Sequence, residues 1–315
     1  MTLQSWRDSG VRRILKLMGP VIFGSSVAQI NILLDTVIAS FLAVGSLSWL
    51  YYSDRLMQFP LGILGVAVAT VILPRLALGH THSARSDFTH TLDWAVKLTL
   101  LIGLPAAIGL LLLASPLIAT LFEFGEFTAR DTVMTSLSLM AYAVGVPAFI
   151  LTKVLLPGFF SRQDTRTPVR IGIIALLSNM AYNLILVVPM VMMDFIAPHM
   201  GLAIASAMSA WQQAFMLYRK LSLDNVYRFS ADLKRFARKL VPALFLMSLT
   251  VIAILFKFNP GGDWSRMEAP QRATLLVVII LSAIASYAVT LGVMGVRAKD
   301  LRSSSTLNSE SEQPH

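Results

Sequence analysis

Three polar residues, Asp54, Arg55 and Gln58, lie at the start of a segment that is otherwise apolar enough to cross a bilayer. On a helix Asp54 and Gln58 share one face, with Arg55 about 100° round from Asp54. An arginine deep in a membrane helix costs about 2.5 to 3.5 kcal/mol and usually faces a partner charge, a bundle interior or a watery cavity. In a cavity its guanidinium can hold phosphate oxygens in a bidentate manner. We therefore predict anion binding at Arg55, with a pair to Asp54 or an arginine that reaches the interface as alternatives.

A second polar set combines Asp35 with Asn179 and Asn183, which are spaced for one helix face. All three lie inside apolar segments. Carboxylate and amide oxygens suit a hard cation, so a coupled transporter would bind Na⁺ or a proton at such a place. Asparagine also commonly forms hydrogen bonds between membrane helices, and this structural alternative stays open.

Lys153 lies in an apolar segment near its predicted cytoplasmic end. Its four methylenes can carry the ammonium to the headgroups or into a central cavity, and both alternatives stay open. The five histidines lack the carboxylate or cysteine neighbours that complete a tetrahedral metal site. The sequence also contains no phosphate-binding loop, nucleophile elbow or zinc-protease motif. We therefore expect that the chain is not an enzyme and requires no cofactor, apart from coupling to Na⁺ or a proton.

Composition places these residues in an integral membrane protein. The 315 residues are 56% hydrophobic and 14% charged, with a mean hydropathy of +0.69, whereas soluble domains average about 25% charged residues. The absence of cysteine excludes disulfides and thiolate chemistry. The pattern predicts an all-α polytopic fold with eight transmembrane helices. The predicted spans are residues 17–43, 55–76, 95–119, 133–158, 170–193, 199–218, 240–257 and 273–296.

The distribution of positive charge predicts the orientation. Nineteen of the 26 Lys and Arg residues lie in connections on one side of these spans, and four lie on the other. The positive-inside rule makes the first side cytoplasmic and places both termini there. The net charge of +9 is thus a topology signal, and we expect no nucleic-acid binding.

Loop lengths divide the chain into six helices plus two. We predict a six-helix lobe over residues 1–222, a basic connection with the last two helices over 223–300, and a disordered cytoplasmic tail over 301–315. Within the connection, Asp232 to Lys239 alternates basic and apolar residues. This pattern fits an amphipathic helix on anionic headgroups, although ordinary positive-inside anchoring is the favoured alternative.

Two long motifs carry a resemblance to a known family. Residues 49–60, WLYYSDRLMQFP, and 156–168, LPGFFSRQDTRTP, closely resemble the MurJ (MviN) lipid II flippases. The resemblance extends to about residue 300. It implies membership of the multidrug/oligosaccharidyl-lipid/polysaccharide exporter superfamily, whose flippases normally have fourteen helices, and this chain resembles helices seven to fourteen. The implied activity is the transfer of undecaprenyl-pyrophosphate-linked peptidoglycan precursor, lipid II, across the bacterial inner membrane by alternating access between two six-helix lobes.

The resemblance also implies substrate-binding residues. Arg55 matches a cavity arginine thought to engage the pyrophosphate, and Asp54 matches its acidic neighbour. Gln58 lies where some members carry glutamate, which removes one titratable group. Lys153 is a further candidate for the cavity. Lys239, or the neighbouring Arg238, resembles a basic position at the start of the thirteenth helix, and the last two helices are thought to form a groove for the lipid tail.

The candidate cation residues match the family as well. Asp35, Asn179 and Asn183 resemble positions that form a sodium site in some members, with Ser206 or Ser209 as contributors from the next span. Asn183 replaces an acidic residue there, so the sequence departs from the family pattern at this position.

The first six helices of the family have no counterpart in this chain. We expect that a separate polypeptide supplies this N-terminal lobe, that the chain is a piece of a longer protein, or that it is an inactive remnant. The expected partners are lipid II, membrane lipids and that lobe. The alternatives in function are an exporter of another lipid-linked glycan or of drugs, and a non-transporting membrane scaffold for cell-wall synthesis.

Overall fold

The computed structural model describes residues 29–67, 84–258 and 264–296. Over these ranges the chain forms helices and no β-strand, which confirms the all-α prediction. Most of the first predicted span, the end of the second and the predicted tail lie outside the described residues. The helices are α1 (Gln29–Ser40), α2 (Ser46–Ala67), α3 (Ala84–Leu112), α4 (Ala114–Phe122), α5 (Ala129–Leu155), α6 (Pro157–Phe160), α7 (Arg166–Met192), α8 (Met200–Leu223), α9 (Ala231–Phe258) and α10 (Ala269–Val293), with a 3₁₀ turn at Trp264–Arg266.

Five helical stretches in the described ranges are long and apolar enough to cross a membrane. They contain α3, α5 with α6, α7, α9 and α10. Helices α2 and α8 reach 22 and 24 residues but carry more polar side chains. The chain is therefore a multi-pass membrane protein, and the count of eight spans stays a prediction.

Several helices begin or end away from the boundaries of the predicted spans. The second span was expected to begin at Arg55, but α2 begins at Ser46 and continues through Pro60. Hydropathy missed this first part because its polar side chains lower the average. The helix follows a tight turn at Gly45, whose φ of +100° favours glycine, and a Cβ there would lie 2.6 Å from the Trp49 ring. The third span was expected to run to residue 119, but α3 ends at Leu112 and α4 follows as a separate helix.

Helix α5 is the centre of the fold. It packs against α2, α3, α4 and α8, and about two thirds of its span is buried. Small residues permit the closest of these contacts, since a Cβ on Gly145 would lie 3.0 Å from the Cα of Ala207 in α8. Helix α7 packs on the other side of α8. Helix α2 thus packs against a helix that is itself buried among its neighbours.

The last two helices pack against each other and against α3 and α4. The connection before them is shorter than predicted, because α8 extends to Leu223 and α9 begins at Ala231. The Asp232 to Lys239 stretch is not a separate surface helix but the first turns of α9. At 28 residues and 1.5 Å per residue, α9 is about 42 Å long, which exceeds the hydrocarbon core of about 30 Å. The helix is therefore longer than the hydrocarbon core requires.

Tyr227 anchors the short connection between α8 and α9. Its side chain is buried, and its hydroxyl donates to Asp93 Oδ1 of α3 over 2.6 Å. Burial raises the pKa of the Tyr227 hydroxyl above its ordinary value, so this group stays protonated and can donate. Phe229 of the same connection stacks on Tyr218 at a centroid distance of 3.9 Å. The connection is thus fixed to α3 before α9 begins.

A buried arginine joins α10 to the rest of the bundle at its predicted outer end. Arg272 donates to the carbonyl oxygens of Met267 and Ser265, each over 2.7 Å, and to that of Ala119 over 3.2 Å. Its Nη1 lies 3.3 Å from Glu123 Oε1. The second oxygen of Glu123 accepts from Thr132 and from the Ser265 hydroxyl, over 2.6 and 2.9 Å. Both charges are therefore satisfied by several partners.

We predict that Arg272→Gln destabilises the protein strongly, because it leaves the Glu123 carboxylate buried without its cation. Breaking a buried pair in this way costs about 3 to 5 kcal/mol. The measurement is the Tm of the purified chain in detergent. Arg130→Gln, which removes an exposed arginine from the same end of the bundle, is the matched control. Equal Tm values for the two variants would contradict the structural role of Arg272.

Candidate functional site

Helix α2 presents a polar face that contains Tyr51, Asp54, Arg55 and Gln58. Tyr51 is 53% exposed, and the Arg55 Cζ lies 4.9 Å from its ring centroid. The Gln58 amide donates to the Asp54 carboxylate. Arg55 is exposed and has no carboxylate within ion-pair distance in the described part of the chain. The predicted alternative of an Asp54–Arg55 ion pair is therefore not formed, and the guanidinium is open to an external anion.

The opposite face of α2 fixes the direction of Arg55. Ser53 is fully buried, and its hydroxyl lies 2.6 Å from the carbonyl oxygen of Trp49 and 2.8 Å from that of Thr135 in α5. Trp49 donates its indole N–H to Asp131 Oδ1 at the start of α5 over 2.7 Å. Met57 continues this buried stripe one turn further. This buried stripe faces α5. Arg55 lies on the opposite side of α2, so its side chain points away from α5.

His199 supports the same arrangement at the predicted outer end. Its ring is fully buried, lies 4.8 Å from the Trp49 ring and donates from Nε2 to the carbonyl oxygen of Met134 over 3.1 Å. From the sequence, the histidines were considered only as possible metal ligands, and this contact was not predicted.

The predicted cation residues come together from three helices. Asn183 Nδ2 of α7 lies 2.7 Å from Asp35 Oδ1 of α1 and 3.1 Å from Asn179 Oδ1. Asn179 Nδ2 lies 3.4 Å from Ser206 Oγ of α8, which lies 3.5 Å from Asp35 Oδ2. Asn31, one turn before Asp35, donates to the same carboxylate over 3.3 Å. We call these five residues the oxygen cluster.

The oxygen cluster contains the types of oxygen atom that hard cations prefer, although in this structure the amide nitrogens of Asn31 and Asn183 face the Asp35 carboxylate. Asn179 and Asn183 are each 1% exposed. The Oδ1 atoms of Asn31 and Asn183 are buried without a hydrogen-bond partner among the described residues, as are several hydroxyl groups elsewhere in the bundle. One carboxylate with several neutral oxygens is a ligand set that Na⁺ can use. Ser209 is not part of it, because its hydroxyl donates to the Ala175 carbonyl oxygen over 2.8 Å.

Lys153 and Lys239 lie apart from both groups. Lys153 is exposed near the end of α5 and makes no hydrogen bond or ion pair with a described residue. Lys239 lies in the third turn of α9 and lines a cleft that contains no residue of α2. The structure therefore gathers Asp54, Arg55 and Gln58 in one place but does not bring either lysine to them.

Sequence reasoning missed Asn31 as well. Its position four residues before Asp35 puts it on the same helix face, and this spacing is the signal that identifies it. The contacts of Trp49, Ser53 and Arg272 had no such signal, because their partners are distant in sequence.

Comparison with known proteins gives consistent results. The family model for lipid II flippase MurJ matches residues 2–270. A probable lipid II flippase MurJ of Haemophilus influenzae is 48% identical over 303 residues, which cover 94% of this chain and 57% of the relative. A probable lipid II flippase MurJ of Vibrio cholerae is 44% identical over 94% of this chain and 55% of the relative. The chain thus spans about half the length of the curated relatives it matches.

Solved structures show the same similarity. A lipid II flippase MurJ in an inward closed conformation superposes with a TM-score of 0.70 at 26% identity, covering 90% of this chain and 54% of that one. An outward-facing multidrug resistance MATE family transporter of the MOP superfamily gives a TM-score of 0.53 at 16% identity, covering 88% of this chain and 64% of that one. The second match shows a shared fold alone. The extent of the family match and the identity to these relatives confirm the resemblance seen in the sequence, and the chain belongs to the MurJ lipid II flippase family.

Proposed function

We propose that this chain is the C-terminal part of a lipid II flippase and that Arg55 binds the pyrophosphate of the lipid-linked precursor. The observation that carries this proposal is the position of Arg55, which is exposed on α2 and lacks a carboxylate partner among the described residues. A cation within an apolar bundle requires a counter-charge or water. Asp54 forms no ion pair with Arg55 within contact distance, and its carboxylate accepts from Gln58.

The geometry around Arg55 suits a phosphate ligand. A guanidinium presents five N–H donors in a planar fork that matches phosphate oxygens. The Tyr51 ring, 4.9 Å from Cζ, supports the guanidinium by a cation–π contact and leaves those donors free. The buried contacts of Ser53 with α5 limit movement of the helix. We infer that Arg55 is preorganised for an anion at the exposed side of α2.

A complete cavity requires a second lobe in this proposal. The relatives are nearly twice as long as the matched region, and the partner would supply the opposite wall of the cavity. Alternating access then consists of movement of the two lobes about the bound headgroup. We further propose that both ends of the chain face the cytoplasm at the bacterial inner membrane, as the distribution of Lys and Arg predicts.

We propose in addition that the oxygen cluster holds Na⁺. Asp35 would neutralise the charge, and the amide oxygens of Asn179, Asn183 and Asn31 would complete the ligand set together with Ser206. The cluster joins α1 to α7 and α8. A bound cation would therefore favour the arrangement in which α1 is docked, which links occupancy to conformation. A proton on Asp35 is the competing coupling ion.

The proposed activity is tested in cells depleted of their own lipid II flippase. This chain is expressed with and without the matching six-helix N-terminal half of a relative, and lipid II at the outer leaflet is quantified. We expect its appearance when both halves are present. Its absence, with both halves at normal abundance in the membrane, would contradict a role in flipping.

We predict that Arg55→Ala lowers outer-leaflet lipid II in the two-half cells by about tenfold or more, because charge-assisted hydrogen bonds contribute about 1.5 to 3 kcal/mol. Arg55→Lys should recover little, since a point charge lacks the planar fork. Arg130→Ala, which removes an exposed arginine elsewhere, is the control. Full activity of Arg55→Ala at normal abundance would contradict headgroup binding.

We predict that Na⁺ raises the Tm of the purified chain relative to K⁺ at equal ionic strength, because a ligand that binds only the folded state stabilises it. Asp35→Asn should abolish this difference, and Ser206→Ala should reduce it. Ser209→Ala is the matched control, because Ser209 bonds to the α7 backbone instead of the cluster. An unchanged Na⁺ response in Asp35→Asn would exclude the oxygen cluster as the sodium site.

A further inference from the structure

A basic cleft lies where the last two helices meet the rest of the bundle. Its volume is about 270 Å³, and side chains from α3, from the first turns of α9 and from the residues after α10 line it. The lining residues are Lys97, Asp232, Arg235, Phe236, Lys239 and Val296. The cleft is distinct from the Arg55 face and from the oxygen cluster, since none of these residues belongs to either.

The charges in this cleft are not balanced. Lys97 donates to the carboxylate of Asp232, which is the only carboxylate among the described residues that line the cleft. Arg235 and Lys239 have no carboxylate within ion-pair distance in the ranges that the structure describes. Two positive charges therefore remain in a concave site that is lined by the second and third turns of α9. An external anion would relieve this repulsion.

The surroundings of the cleft indicate an amphiphilic anion. Phe236 and Val296 give the lining an apolar part. Exposed apolar side chains continue along the same two helices, including Val241, Phe245 and Val293 at 64%, 70% and 78% exposure. A free phosphate would use only the basic part. A phospholipid would use both, with its headgroup in the cleft and its acyl chains over the apolar surface of α9 and α10.

We propose that this cleft binds the phosphate group of an anionic membrane phospholipid, held between α3 and the last two helices. Arg235 supplies a planar donor fork to the phosphate oxygens and Lys239 supplies a point charge. The Lys97–Asp232 pair closes one side of the cleft and orients the first turn of α9. The cleft is separate from the Arg55 face, on which the proposed headgroup binding rests, although the family resemblance also names Lys239 as a substrate-binding candidate.

The test compares two variants that remove the same charge from the same helix. Arg235→Gln/Lys239→Gln neutralises the cleft, whereas Lys234→Gln/Arg238→Gln neutralises exposed neighbours that do not line it. Binding of phosphatidylglycerol and of phosphatidylcholine to the purified full chain is measured by native mass spectrometry. We expect preferential binding of phosphatidylglycerol, weakened at least about tenfold by the first pair of substitutions and little changed by the second.

Two further measurements test whether charge is what matters and whether the ligand is a lipid or free phosphate. The charge-preserving variant Arg235→Lys/Lys239→Arg should retain most of the phosphatidylglycerol binding, and the Tm of every variant checks that it is folded. Inorganic phosphate at millimolar concentration should displace the lipid poorly. Equal weakening by both pairs of substitutions, equal binding of phosphatidylcholine, or full displacement by inorganic phosphate would each overturn the proposal.

Discussion

A charged or polar side chain inside an apolar helix bundle is costly unless it finds a partner, and the main polar contacts between the described helices follow from this constraint. Arg272 satisfies it fully, with Glu123 and three carbonyl oxygens around one guanidinium. The oxygen cluster satisfies it in part, since two of its amide oxygens have no partner among the described residues. Arg55 has no carboxylate within ion-pair distance in the described ranges.

The same constraint explains how the contacts of α2 orient the Arg55 side chain. Helix α5 is buried between its neighbours, and α2 is fixed to it by the hydroxyl of Ser53 and the indole of Trp49. These are hydrogen bonds to backbone and carboxylate groups, which are directional. Apolar packing alone would allow α2 to rotate about its axis, but these bonds select the rotation that exposes Arg55.

Much of this architecture could be predicted from the sequence, because hydropathy and helical spacing are local properties. The all-α class followed from composition, and the grouping of Asn179 with Asn183 followed from their spacing. The start of α2 at Ser46 could not be predicted from hydropathy, since Asp54 and Arg55 lower the local average. The Arg272–Glu123 pair joins residues 149 apart, and no local pattern records such a contact. Arg272 is one of the four Lys and Arg residues counted on the outer side of the predicted spans. That count indicates orientation only and does not predict the contacts of its guanidinium.

Photo-crosslinking tests most directly whether lipid II contacts the exposed face of α2 beside Arg55. A photoreactive phenylalanine analogue replaces Tyr51, whose ring lies 4.9 Å from the Arg55 Cζ, in cells that carry both halves and accumulate lipid II. Phe215 of α8, which is 61% exposed, is the control position. We predict that the amount of lipid II adduct at position 51 clearly exceeds the amount at position 215. An adduct that is absent at position 51, or equal at the two positions, would contradict it.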